Sequence, residues 1–210
     1  TVRDGSTQQW PLLGLLTAAE RWGIQSPQNV IDNAYTTFRA LQNGNGGIGY
    51  RNSGGYNSNR TGGLLISTAL KGVEPKAAAD GGNADEDAAH RAIQYLGSRW
   101  KHVVRGVSTA NDNGPFGAFY SFYGVKKGLA VLGIDTLFTT SDLGVRDWYK
   151  DFSAWALGDY NLWAPDQILP TSAGGGTGYH TTSHYFGQRA DGSWDSTDGY
   201  VYHQSMDTAH

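Results

Sequence analysis

The sequence predicts an all-α protein, an assembly of helical hairpins. Three observations carry this. Apolar residues recur at helical spacing in segment after segment, and glycine-rich turns separate them. A glutamine–glycine–aromatic unit occurs twice, each time after such a segment: Leu41-Gln42-Asn43-Gly44-Asn45-Gly46-Gly47-Ile48-Gly49-Tyr50 and Phe186-Gly187-Gln188-Arg189-Ala190-Asp191-Gly192-Ser193-Trp194. A recurring unit of this kind marks a repeat architecture. In each copy the glutamine amide is placed to bond carbonyls orphaned at a helix end. The glycines allow a sharp turn, and the aromatic is expected to lie back over the helix just left.

The first helix starts near Asp4-Gly5-Ser6-Thr7, carries Leu12, Leu15, Leu16, Ala19 and Trp22, and stops at Gly23. Pro11 implies a start that is kinked or later. Ser26-Pro27 opens a second helix, with Pro27 suited to the first helical position, and its stripe is Val30, Ala34, Phe38 and Leu41. A polar glycine-rich loop over 51–60 leads to a third helix over 61–71. After the linker Gly81-Gly82-Asn83, the carboxylates of Asp85-Glu86-Asp87 complement the dipole of a fourth helix, which shows Ala89, Ile93, Leu96 and Trp100 on one face. A loop at Asn111-Asp112-Asn113-Gly114 precedes the most apolar helix, about 116–132. There Phe119, Phe122, Tyr123, Leu129 and Leu132 leave Lys126 and Lys127 outside. A sixth helix carries Trp148, Phe152 and Trp155. The glycine-rich span 158–178 is expected to cover one end of the fold. A short helix over 180–188 leads to the second glutamine turn, and Asp207-Thr208-Ala209 reads as a further helix start. No strand is expected.

Composition bounds the function. The 210 residues suit one domain, 1–210, or part of a larger protein. A net charge of −3 with 17% charged residues offers no basic field for nucleic acid. No apolar run is long enough to span a membrane. The absence of cysteine removes disulfides, thiolate metal sites and cysteine nucleophiles. Scarce lysine with abundant Asn, Ser and Thr suggests a secreted, periplasmic or cell-surface protein.

The glutamine turns, with Tyr120-Ser121-Phe122-Tyr123-Gly124 and Tyr179-His180-Thr181, resemble a known family. Gln188 to Trp194 resembles the QW motif of squalene cyclases, and Gln42 to Tyr50 the equivalent repeat of protein prenyltransferase β-subunits. The likeness runs from Asp4 to Ala209 and is closest to bacterial prenyltransferase/squalene-oxidase-repeat proteins. It implies an α/α toroid with a central, often aromatic-lined cavity. Here there are fewer hairpins than a closed ring needs, so a partial or open toroid is expected.

The family's chemistry maps poorly. Matching the Tyr120 stretch puts Gly117 and Phe119 where prenyltransferases hold an Asp and a Cys on zinc, leaving His180 alone. Cyclases protonate an alkene with an Asp-x-Asp-Asp acid. The nearest stretch is Asp85-Glu86-Asp87-Ala88, so Asp85 and Asp87 are the candidate acids, although a helix cap explains them more simply. His180 and His184 share a helix face without a third ligand, and Asp191, Ser193 and Asp195 begin a calcium-like loop that Ser196 interrupts. No metal or cofactor is expected. Asn59-Arg60-Thr61 fits a glycosylation sequon, a frequent chance match.

The candidate ligand-binding residues are Tyr120, Phe122, Tyr123, Trp148, Trp155, Trp163, His180 and His184. The aromatics would line a cavity or serve as core, while Trp10 and Trp100 read as structural. Three functions are compatible with this pattern. The first is a non-catalytic module binding a protein, a peptide or an apolar molecule through its cavity or rim, self-assembly included. The second is a cyclase-like enzyme with a divergent acid. The third is a polysaccharide lyase, for which Arg51, Lys101 and Arg105 are scattered without a pattern.

Overall fold

A computed structural model describes residues 4–100, 119–139 and 144–157. They form α1 (Gln9–Trp22), α2 (Gln28–Leu41), α3 (Ser58–Lys71), a 3-10 turn (Ala78–Asp80), α4 (Ala84–Arg99), α5 (Phe119–Val131), β1 (Thr136–Phe138), β2 (Val145–Asp147) and α6 (Trp148–Leu157). The protein is mostly helical. The expectation of no strand needs correcting, because β1 and β2 pair antiparallel with Leu137 opposite Arg146. Three residues a side are too few to show an alternating pattern in sequence.

The fold is built around α3, which packs against α1, α2, α4 and α5. From Ser58 to Thr68 almost every α3 residue is buried, whichever way it points. Such a helix must satisfy its own polar groups. Thr61 Oγ1 donates to Asn57 O at 2.7 Å, Ser67 Oγ to Leu64 O at 2.7 Å, and Thr68 Oγ1 to Leu64 O at 2.8 Å. Leu64, Leu65 and Ile66 supply the apolar remainder, meeting Leu12, Phe38, Leu96 and Leu129 in one core. The helix starts earlier than expected because Asn57 caps it, accepting from Arg60 N at 3.1 Å.

Among the described helices, α3 and α5 pack most closely. A Cβ on Gly62 would lie 2.5 Å from Gly124 O and 2.7 Å from Val125 N, and one on Gly128 would lie 2.8 Å from Gly62 O. The pair Gly124-x-x-x-Gly128 thus presents a flat strip of backbone to Gly62. Lys126 and Lys127 are half-buried rather than outside. Lys127 Nζ lies 5.9 Å from the centroid of the Tyr123 ring.

The peripheral helices differ in register from the expectation. In α1 the start is later, at Gln9, which leaves Pro11 within the first turn, where no intrahelical N–H bond is lost. Asp4 instead holds a turn, its Oδ1 accepting from Ser6 N at 2.9 Å. Gly23 ends α1 in the left-handed region, its N–H bonding Ala19 O at 3.1 Å. Pro27 stands just before α2, not inside it. The buried stripe of α2 is Ile31, Tyr35, Phe38 and Leu41, so Val30 faces solvent and Ala34 is half-buried. Both Val30 and Ile31 fit a helical period, and only the neighbour α3 selects between them.

Gly62→Ala should destabilise the protein by about 1–3 kcal/mol through overpacking of the α3–α5 contact. Gly14→Ala, on a surface of α1 where a Cβ meets nothing, should stabilise it by about 0.5–1 kcal/mol. Chemical denaturation of both variants checks the pair of signs.

Candidate functional site

The two carboxylates expected as acids sit at the start of α4. Asn83 caps this helix, its Oδ1 accepting from Asp85 N at 2.9 Å and Glu86 N at 3.1 Å, while Glu86 Oε2 accepts from Asn83 N at 2.8 Å. This is a complete capping box. Asp85 then reaches sideways to two other helices. Its Oδ1 lies 2.7 Å from Arg39 Nη1 of α2, and its Oδ2 lies 2.8 Å from Lys71 Nζ of α3. Tyr35 Oη donates to the Asp85 carbonyl at 3.0 Å, and Lys71 Nζ stands 4.3 Å from the Tyr35 ring centroid. The bond from Asp85 holds the Lys71 ammonium above its ordinary range. Asp85 therefore joins α2, α3 and α4.

Asp87 faces the other way. Its Oδ1 accepts from Ala78 N at 3.0 Å and its Oδ2 from Arg91 Nε at 2.9 Å. The Ala78 N–H first, and then the Arg91 guanidinium, hold its carboxyl below the usual carboxylate range. An alkene-protonating acid needs the opposite, a carboxyl held neutral. The surroundings of both residues suit anions that organise a helix start.

Next to them lies the first glutamine turn. Gln42 Nε2 donates to Gly46 O at 3.1 Å and to Ala88 O of α4 at 2.9 Å, and its Oε1 accepts from Arg91 Nη2 at 3.3 Å. The amide thus spans its own turn and the neighbouring helix, not the carbonyls at the end of α2. Gly46 has φ +94°, and a Cβ there would run into the Arg91 backbone. The Arg51 and Arg60 guanidiniums stand 5.2 and 5.6 Å from the Tyr50 ring centroid. The second glutamine turn lies outside the described residues.

Of the aromatic candidates, Trp148 is core. It is 5% exposed, meets Phe152 edge-on at 6.0 Å, and donates Nε1–H to Ile134 O. Tyr123 is half-buried and stacks on Trp10 at 5.9 Å. The side chains of Tyr120, Phe122 and Trp155, and Trp163, His180 and His184 altogether, lie outside the described residues. Trp100 is fully buried and tilted against Phe152 at 5.1 Å. Its Nε1–H donates at 2.7 Å to Asp151 Oδ2, which also accepts from Arg146 Nε at 2.9 Å. This buried carboxylate ties α6 and β2 to α4. Asn59 of the sequon is buried inside α3 and accepts from Gln9 Nε2 at 3.1 Å, which closes it to glycosylation in the folded chain. Among the described residues no group of three or more His, Asp or Glu is placed to hold a metal.

Sequence reasoning placed Trp22 on the buried face of α1, yet it is 72% exposed. Ile24 at 56% and Val30 at 43% are exposed near it in the chain, around the α1–α2 turn. Periodicity is blind to this exposure, because the buried residues of α1, Gln9, Leu12 and Leu13, all lie in its N-terminal half. A second apolar pair, Phe138 and Val145, lies directly across the two-stranded sheet and is also exposed.

No protein-family model matches this chain, and neither do any curated protein and any solved structure.

Two outcomes follow from the carboxylates. Because the Asp87 pKa is lowered in the fold, its contribution to stability is complete above the ordinary carboxylate value of 3.8 and is lost as pH falls through the folded value. Wild type should therefore be the more stable of the pair with Asp87→Asn at neutral pH, and the gap should close in acid; a gap constant with pH would refute the assignment. Asp151→Asn should cost about 3 kcal/mol, since it removes the buried charge that Arg146 and the Trp100 N–H share. Urea unfolding followed by tryptophan fluorescence would show the loss.

Proposed function

We propose that this chain is a helical-repeat binding module that engages a protein surface, a second copy of itself included, through the rim at the α1–α2 turn. The observation that carries this reading is the exposure of Trp22, Ile24 and Val30 together at one turn. Large apolar residues scattered singly over a surface are ordinary, whereas several gathered at one place mark a contact site. Tryptophan is also the residue that most often anchors a protein interface. The proposal extends to architecture and place: an α/α-toroid repeat of the prenyltransferase/squalene-oxidase kind, partial or open, in an exported protein. The glutamine turn bound to the neighbouring helix supports the repeat, because it couples one helical unit to the next.

The surroundings of Asp85 and Asp87 favour this reading over a cyclase. Arg39, Lys71, Arg91 and the Ala78 N–H use the carboxylate oxygens for packing helices. A proton donor at either place would first have to give up these partners.

Native mass spectrometry of the purified chain, beside a Trp22→Glu/Ile24→Glu variant, tests the proposal. Wild type should form protein complexes, either oligomers or assemblies with another subunit. The variant should lose them while its unfolding midpoint moves by no more than about 0.5 kcal/mol equivalent, as expected for surface positions. Complexes that persist in the variant would overturn the proposal. So would a monomer that releases a small apolar molecule on denaturation, which would favour a ligand cavity instead.

A further inference from the structure

We draw no further inference here: the strongest candidate, the exposed apolar patch of Trp22, Ile24 and Val30 at the α1–α2 turn, is already the binding face proposed above, and nothing in the structure shows which partner covers it.

Discussion

The close crossing of α3 and α5 is the constraint on which the rest of the described structure depends. Gly62 meets Gly124 and Gly128 with no room for a single methyl group between the helices. Contact at that distance brings many atoms on each helix into van der Waals range, where each gains little and the sum is large. It also closes the last open side of α3, which already touches α1, α2 and α4. A helix enclosed on every side has to carry small or self-satisfied side chains. Gly62 and Gly63 and the hydroxyls of Thr61, Ser67 and Thr68 meet that demand.

Around this hub, charged groups set how the outer helices sit. Asp85 lies between Arg39 and Lys71, and Asp87 between Arg91 and the 3-10 turn. Partly exposed pairs of this kind add little stability one by one. Their value is geometric: together they fix the start of α4 against α2, α3 and the 3-10 turn. Gln42 extends the same network from the α2 turn onto Ala88 and Arg91. The buried Asp151 serves similarly at the other end of α4, collecting Trp100 and Arg146. Asp85, Asp87 and Asp151 thus work at the joints between elements. This explains why a motif that resembles a catalytic acid in sequence sits in an environment suited to anions.

How much was legible in advance depended on the range of the interaction. The carboxylates of the first turn of α4 follow from local chemistry, as do the stop at Gly23 and the pair Trp148 and Phe152 on one face of α6. The functional candidates were less legible. Asp85 and Arg39 are far apart in sequence, and so are Asp87's neighbour Arg91 and Gln42, so no spacing rule could pair them. Trp22 was assigned to the core because its period matched Leu12, Leu15 and Ala19. The period is correct, and among the described residues the cover it presumes is missing.

The helical class, the sites of the main turns and the caps were determined by the sequence alone, because they arise from side chains acting within one or two turns of their own backbone. Tertiary structure decided which of two equally periodic faces each helix buries, as Ile31 over Val30 shows. It decided that α3 would be the enclosed helix, and that two three-residue strands would pair. It also decided that Asp85 would be ion-paired to Arg39 and Lys71 while Trp22 was left in solvent. Those outcomes are set by neighbours distant in the chain, whose positions exist only once the helices have packed.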